Sequence, residues 1–485
     1  MKTKSEIYLA ALAKNSFLSL WSFPFAFTDE GRKTPAQTGK ELADLLVVFG
    51  DQVIIFSDKH CEYPSHADEL ISWGRWYRKA IEKSVKQLVG AERWIREHPR
   101  RLYLDVKCQI PFPPLLANIA APTIHLVAVT RGSSVACSKH FGNSSSATYI
   151  LNSSLGGGDH LKNPFQIGRL NDAGSWVHVF DETSLDFVMS ELDTVSDFVR
   201  YLNERAHFLS SKKVIVPGEE DLLALYYANT SAAGHRLPDH SNVDASGVIY
   251  EEGGWSNLLS DARFKQRAVA RKSSYLWDRL IEYFSKQMGR REIDGPRETP
   301  LSELEESLRV MATEDRFARR MLSQSATEVF NRTLESGSRF LRVCNPSEAT
   351  GVVYVFAAFE THLGWSDERY RDARREFLQA ACFAAKARWP TVQKILGIAH
   401  QSASSTETSF DLVGLFLAPD PLSEEELCKV QVLQDKWRIF HTHTESARQV
   451  DEFPNVAESN RKSVTTVDKR SYRKMSKKQR RGIRR

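Results

Sequence analysis

The run 39-GKELADLLVVFGDQVIIFSDKHCEYP-64 decides the fold. Its two apolar segments, LLVVF and VIIF, are strand-sized, rich in β-branched residues and split by the turn-forming Gly50-Asp51-Gln52. They read as a hairpin bounded by charge, with Glu41 and Asp44 before it and Asp58 and Lys59 after it. Charges at the ends of buried strands cost free energy unless they are paired, solvated or bound to a metal. The hairpin ends therefore either meet water or converge on a site. Loop length decides which charges share a face, because side chains alternate along a strand. A two-residue turn, Gly50-Asp51, sets Phe49 opposite Gln52 and Asp44 opposite Ser57. Lys59 then shares that face, and Asp58 points away. A three-residue turn sets Asp44 opposite Asp58 and moves Lys59 to the other face. Both registers are open at this level.

Outward from the hairpin, residues 1–20 have the composition of a short helix, and WSFPFAFTDEGRKTPAQTG reads as an aromatic loop. Apolar residues at helical spacing predict one long helix over 73–97, closed by Pro99. IHLVAVTRG is a further strand. Residues 131–165 are rich in Ser, Asn and Gly and read as a long loop with a short strand, SLGGGDH being its flexible part. WVHVF, two helices and KKVIV leading into another helix follow, with Thr183 or Ser184 capping the first helix and Asp193 or Thr194 the second. Residues 300–338 are helical and charged. From about 340 the pattern of strands and two long helices predicts a small two-layer α+β sandwich.

The expected architecture is therefore a multidomain α/β and α+β chain. Its parts are an α/β unit at 1–130, an α/β extension at 131–225, a mostly helical region at 226–338, an α+β domain at 339–450 and a basic disordered tail at 451–485.

Two carboxylates near one lysine have a definite chemical use. Oxygen ligands hold Mg²⁺ or Mn²⁺, and a metal with an ammonium can stabilise the charge that develops on a phosphodiester. Acid-x-x-Asp opening one strand, Asp-Lys closing the next and a following helix with a glutamine resemble the PD-(D/E)XK nuclease superfamily, in particular its restriction-endonuclease-like and nuclease-related branches. The resemblance covers about a quarter of the chain. It implies a helix, a three-stranded meander, a helix and a strand over residues 5–130, of which two meander strands are legible. It further implies that Asp44 binds metal, that Glu41 is the acid contributed by the last turn of the first helix, that Lys59 is the lysine, and that Gln87 is the glutamine behind the site. Lys83 and Lys86 lie on the same helix, within reach of phosphate. The position two before the lysine, where the family carries its second acid, holds Ser57. Asp58 is the expected substitute, with Glu62 and Glu82 as alternatives. The implied reaction is Mg²⁺-dependent hydrolysis of DNA, in defence against foreign DNA or in repair. The rival reading is a fold that binds without cutting.

Length and composition set the frame. At 485 residues, two to four domains are expected, and 41% hydrophobic with 26% charged residues is an ordinary globular composition. No apolar run reaches membrane-spanning length and no leader pattern opens the chain, so a cytoplasmic protein without membrane contact is expected. Six scattered cysteines without a CxxC pair point to reduced thiols. The net charge of +5 belongs to residues 461–485, which hold 12 of the 66 Lys and Arg and one acid; the remaining 54 basic and 60 acidic residues give a net of −6. Lys477, Lys478, Arg480 and Arg481 in that tail are candidate phosphate contacts, and an RNA-associated factor relying on the tail is the third reading. Homo-oligomers and protein partners are open. His441, His443 and Glu445 in HTHTE read as a surface loop, and the tryptophans of the 73–97 helix as core.

Overall fold

The computed structural model describes residues 3–455, apart from 35, 143–147, 172–173, 212, 232–233, 241–246, 291–300, 348–349, 402–408, 443 and 446–449, and also 467–468. These residues form two compact units, Met1–Asp261 and Ala262–Arg485. The expected five-part division is thus drawn more coarsely.

In the first unit, α1 (Lys4–Trp21) opens on a capping box in which Thr3 accepts from the Glu6 N–H and the Glu6 carboxylate accepts from the Thr3 N–H. Then β1 (Ser22–Thr28), β2 (Lys40–Phe49) and β3 (Gln52–His60) make an antiparallel meander. The stretch read as an aromatic loop is therefore its third strand. Pro24 hid it, yet the missing N–H costs nothing there. The neighbouring strand β4 (Leu102–Tyr103) reaches only Phe27 and Thr28, so β1 is a sheet edge at Pro24. Helix α2 (Glu69–Tyr77) passes through a π-helical turn at Arg78–Glu82 into α3 (Lys83–Glu97), an interruption of the single helix expected. As expected, Trp73 and Trp76 are buried, and each indole N–H finds a backbone carbonyl, His160 O at 2.6 Å and Cys61 O at 2.9 Å.

Next comes β5 (Thr123–Arg131), parallel to β3. After α4 (Ser134–His140), β6 (Ile150–Gly156) and β7 (Gln166–Arg169), β8 (Val177–Asp181) runs parallel to β5. The six-stranded order is β4-β1-β2-β3-β5-β8. SLGGGDH is the end of β6 and a 3-10 turn rather than a loop. The unit continues through α5 (Glu182–Glu191), α6 (Val195–Ser211), β9 (Lys213–Val216), α7 (Glu219–Ala228), the ribbon β10 (Thr230–Ser231) and β11 (Gly234–His235), β12 (Gly247–Ile249) and α8 (Gly254–Ser260). A second sheet has the order β12-β9-β6-β7.

Asp181, not Thr183 or Ser184, caps α5, accepting from the Thr183 and Ser184 N–H groups at 2.9 and 2.7 Å. Thr194 caps α6, accepting from the Asp197 N–H at 3.1 Å. Arg205 and Glu219 form a buried ion pair through Nε and Nη2, with the Tyr201 hydroxyl donating to the same carboxylate.

The second unit begins with α9 (Ala262–Arg271), α10 (Tyr275–Arg290), α11 (Leu301–Thr313) and α12 (Arg316–Phe330), the helical stretch expected. A sheet follows in the order β13 (Arg339–Val343), β14 (Val353–Phe359), β15 (Lys394–Gln401) and β16 (Phe410–Phe416). Helix α13 (Asp367–Arg388) connects β14 to its parallel neighbour β15, and α14 (Glu424–Trp437) closes the unit. The expected two-layer sandwich is in fact three layers. All seven residues of β14 are buried. Val353, Val355, Ala357 and Phe359 pack with α13 and α14. On the other face, Trp277 of α10 lies edge-on to Tyr354 with ring centroids 5.2 Å apart, and Phe330 of α12 meets Phe356 at 6.2 Å. An uninterrupted apolar strand needs cover on both sides, which the preceding helices supply.

The chain is thus a mixed α/β and α+β protein of more than one unit. All six cysteines are free thiols. No helix among the described residues is long and apolar enough to cross a membrane.

Candidate functional site

The turn at Gly50-Asp51 has two residues: Phe49 pairs with Gln52, and the register runs to Leu45 with Phe56. Gly50 sits at φ 59°, the positive value that primed two-residue turns require of their first central residue. One step beyond Leu45 and Phe56, Asp44 comes level with Ser57, and the first of the two registers is the real one.

The consequences follow by alternation. Ser57 faces α3, its Oγ lying 3.3 Å from both Gln87 Oε1 and Ser84 Oγ. Lys59 shares the face, with its Nζ 4.0 Å from Asp44 Oδ2. That same Oδ2 accepts the backbone N–H of Asp58 at 2.6 Å, so Asp44 ties the two strand ends together. Asp58 points the other way, where Arg131 at the end of β5 donates from Nε to Oδ1 and Oδ2 at 3.0 and 3.3 Å.

Glu41 lies on β2, not on a helix, which corrects the expected placement. The register between β1 and β2 shifts by one residue between Ala26 and Phe27, leaving Leu42 as an extra residue on β2. Such a bulge reverses the alternation and turns Glu41 toward the side that carries Asp44. The first helix brings a different acid near, Glu6, which sequence reasoning passed over although Thr3-x-x-Glu6 carries a capping-box signature. Its charge reaches Glu41, Asp44 and Asp58 alike.

Glu41 and Asp44 thus share a face with Lys59, Asp58 pairs with Arg131 on the other, and the charge of Glu6 reaches all three. Burial is the main cause that lifts Asp44 above the ordinary aspartate range, with Lys59 and the Asp58 N–H pulling it back down. Burial also lifts Glu41, aided by repulsion from Asp44 and Glu6, and it lifts Asp58 against the pull of Arg131. Asp44 and Asp58 are buried, whereas Glu41 is exposed and Glu6 partly so.

The other expected residues are more scattered. Lys83 is exposed on α3, Glu62 is exposed beyond β3, and Glu82 and Lys86 pair with each other at 2.9 Å on the helix surface. Lys477, Lys478, Arg480 and Arg481 lie outside the described residues. His441 is exposed and bonded to Asp435, Glu445 pairs with Arg388, and His443 lies outside the described residues.

Among the described residues, no three of His, Cys, Asp and Glu come close enough to hold an ion between them. Mg²⁺ differs from zinc in this respect, because it keeps several waters and is commonly held by one or two carboxylates with substrate phosphate completing its shell. Asp44 and Glu41 are oxygen donors of that number and kind. Asp58, engaged by Arg131, is the poorer ligand. Comparison of the chain with family models, with curated proteins and with solved structures finds no match.

Proposed function

We propose that the first unit is a nuclease-type domain that hydrolyses DNA phosphodiester bonds with the help of Mg²⁺ or Mn²⁺. The observation that carries this reading is the meeting of Asp44 and Lys59, 4.0 Å apart at the mouth of the hairpin, with Glu41 and Glu6 within charge range. The order of helix, meander, helix and parallel strand over residues 4–131 supports it.

Asp44 and Glu41 would hold the metal, whose chemistry is to polarise a phosphoryl oxygen and acidify a bound water. Lys59, one-third exposed and anchored beside Asp44, is placed to stabilise negative charge gathering on the phosphoryl oxygens or to orient the attacking water. Gln87 fixes the Ser57 side of the strand from behind. Lys83, on the exposed face of α3, supplies charge for a neighbouring phosphate.

One observation favours a second reading. The position of the family's second acid is Ser57, and its hydroxyl lies against Ser84 and Gln87 in the interior. A domain of this kind that binds DNA without cutting it would look the same.

Cleavage of plasmid and linear DNA with Mg²⁺ or Mn²⁺ separates the two. The nuclease reading expects metal-dependent cutting that Asp44→Ala and Lys59→Ala each reduce by at least about a hundredfold. Absence of cutting by well-folded wild type, with DNA binding retained, supports the binding module. Cutting that survives both substitutions overturns the assignment of the site.

A further inference from the structure

We propose that Arg131 is a phosphate-binding residue of the hairpin site and that Asp58 is its positioning residue, not a metal ligand. The inference rests on the nucleic-acid reading of that site for the identity of the anion.

Arg131 closes β5, and its place is rigid on several sides. Its carbonyl accepts the Cys61 N–H at 3.1 Å. Gly132 follows at φ 97°, where an added Cβ would stand 2.3 Å from the Cys61 carbonyl oxygen. The guanidinium lies over the ring of Tyr8 with Cζ 5.5 Å from the centroid, and the Tyr8 hydroxyl is tied to Asp186 at 2.8 Å.

The decisive detail is which nitrogens are used. Asp58 engages Nε alone, with both of its oxygens. Nη2 is buried and has no hydrogen-bond partner. Arg320 likewise leaves one buried nitrogen, Nε, unmatched while its Nη1 and Nη2 serve backbone carbonyls, whereas other buried arginines are more fully engaged. Arg205 gives Nε and Nη2 to Glu219, and Arg319 gives Nε, Nη1 and Nη2 to the Glu314 carbonyl, Asp278 and the Ala312 carbonyl. A buried donor on a charged group is seldom left unmatched in a native protein, and an acceptor that arrives from outside is one explanation of an exception.

The position narrows what that acceptor is. Val129, two residues before Arg131, pairs with Asp58, which also feels the charge of Lys59. Arg131 and Lys59 thus act on one carboxylate at the carboxyl ends of the parallel strands β3 and β5, where open α/β sheets place their ligands. A guanidinium held by its inner edge presents its outer edge as a fork, the shape that matches two oxygens of a phosphate. Asp58 does for Arg131 what an orienting carboxylate does elsewhere, holding it through Nε and leaving the buried Nη2 unmatched.

The test is binding of a short fluorescent DNA duplex by the full chain, with Ca²⁺ in place of Mg²⁺ as an oxygen-liganded ion of the same charge, measured over a range of salt. Arg131→Gln alone strands the buried Asp58 charge and risks misfolding. The double variant Asp58→Asn/Arg131→Gln replaces both partners by neutral groups of similar shape, and its folding is checked by thermal melting. The expected result is about tenfold weaker binding, with the slope of log K against log salt shallower by about one phosphate contact. Arg131→Lys keeps the charge without the fork and is expected to recover the slope but only part of the affinity. An unchanged affinity and slope in the folded double variant overturns the inference. Absence of duplex binding by wild type overturns it as well. Failure of the nuclease reading is told apart by cleavage: a wild type that binds through Arg131 but never cuts keeps this inference and loses the reaction. A wild type that cuts and binds independently of Arg131 does the reverse.

Discussion

Asp181 is wholly buried at the end of β8. One of its oxygens caps α5 and the other has no hydrogen-bond partner. Burial, opposed by the Ser184 N–H and hydroxyl and reinforced by the charges of Glu182 and Glu220, pushes its carboxyl up to about 7. The sign of the linkage is the reverse of a salt-bridged carboxylate. Between the ordinary aspartate range and about 7 the folded protein holds a proton that the unfolded chain has released. Stability therefore falls as pH rises through that window, by up to about 1.4 kcal/mol per pH unit. Melting curves from pH 5 to pH 8.5 are expected to show this decline. Asp181→Asn, which keeps an oxygen for the cap and cannot ionise, is expected to flatten it. The residue-scale features of the hairpin were readable because charges at strand ends stand out in a sequence. Asp181 was passed over since a capping aspartate looks like its neighbours Thr183 and Ser184 until burial distinguishes them.

Gly132 shows how an element can depend on one position. At φ 97° it carries the chain out of β5 past the Cys61 carbonyl, in a conformation and a space that only glycine fits. Gly132→Ala is expected to destabilise the first unit by about 1–3 kcal/mol or more, and to displace Arg131 and reduce duplex binding along with the melting temperature. Denaturant unfolding together with the anisotropy measurement checks both consequences. At this scale the hairpin, the parallel strand after the long helix and the helix-rich start of the second unit follow apolar periodicity and were legible. Strand β1 was not, because Pro24 argues against a strand even though Phe23, Phe25 and Phe27 alternate. The bulge at Leu42 was equally hidden, since an extra residue changes which face a side chain takes without leaving a mark in composition. It is this bulge that brings Glu41 to Asp44. Arg131 lies 72 residues from Lys59 in sequence, and only the parallel pairing of β3 with β5 joins them, which no local pattern encodes.

Charge is distributed very unevenly over the whole molecule. Without residues 461–485 the chain is net negative, so on the function proposed above long-range attraction for DNA would rest on those residues and local chemistry on the hairpin. Deleting 461–485 is expected to weaken duplex binding at low salt by at least about tenfold and to make it much less salt-dependent. The dependence of cleavage on Asp44 and Lys59 is expected to persist. Loss of all nucleic-acid binding with the tail, and indifference to every hairpin substitution, would instead make the tail the binding element. Binding isotherms of the two chains at several salt concentrations decide the matter.

The parallel pairing of β3 with β5 has a consequence in time. The hairpin β2–β3 closes over a two-residue turn and can form within microseconds of leaving the ribosome. Arg131 joins it only after the helices and the crossover between residues 60 and 123 have been made and folded, a far slower, non-local event. During synthesis there is thus an interval in which Asp44 and Lys59 are already side by side and Asp58 lacks its arginine. A nascent chain in that interval has the charges of the hairpin end but not the guanidinium beside Asp58, which arrives late, with β5.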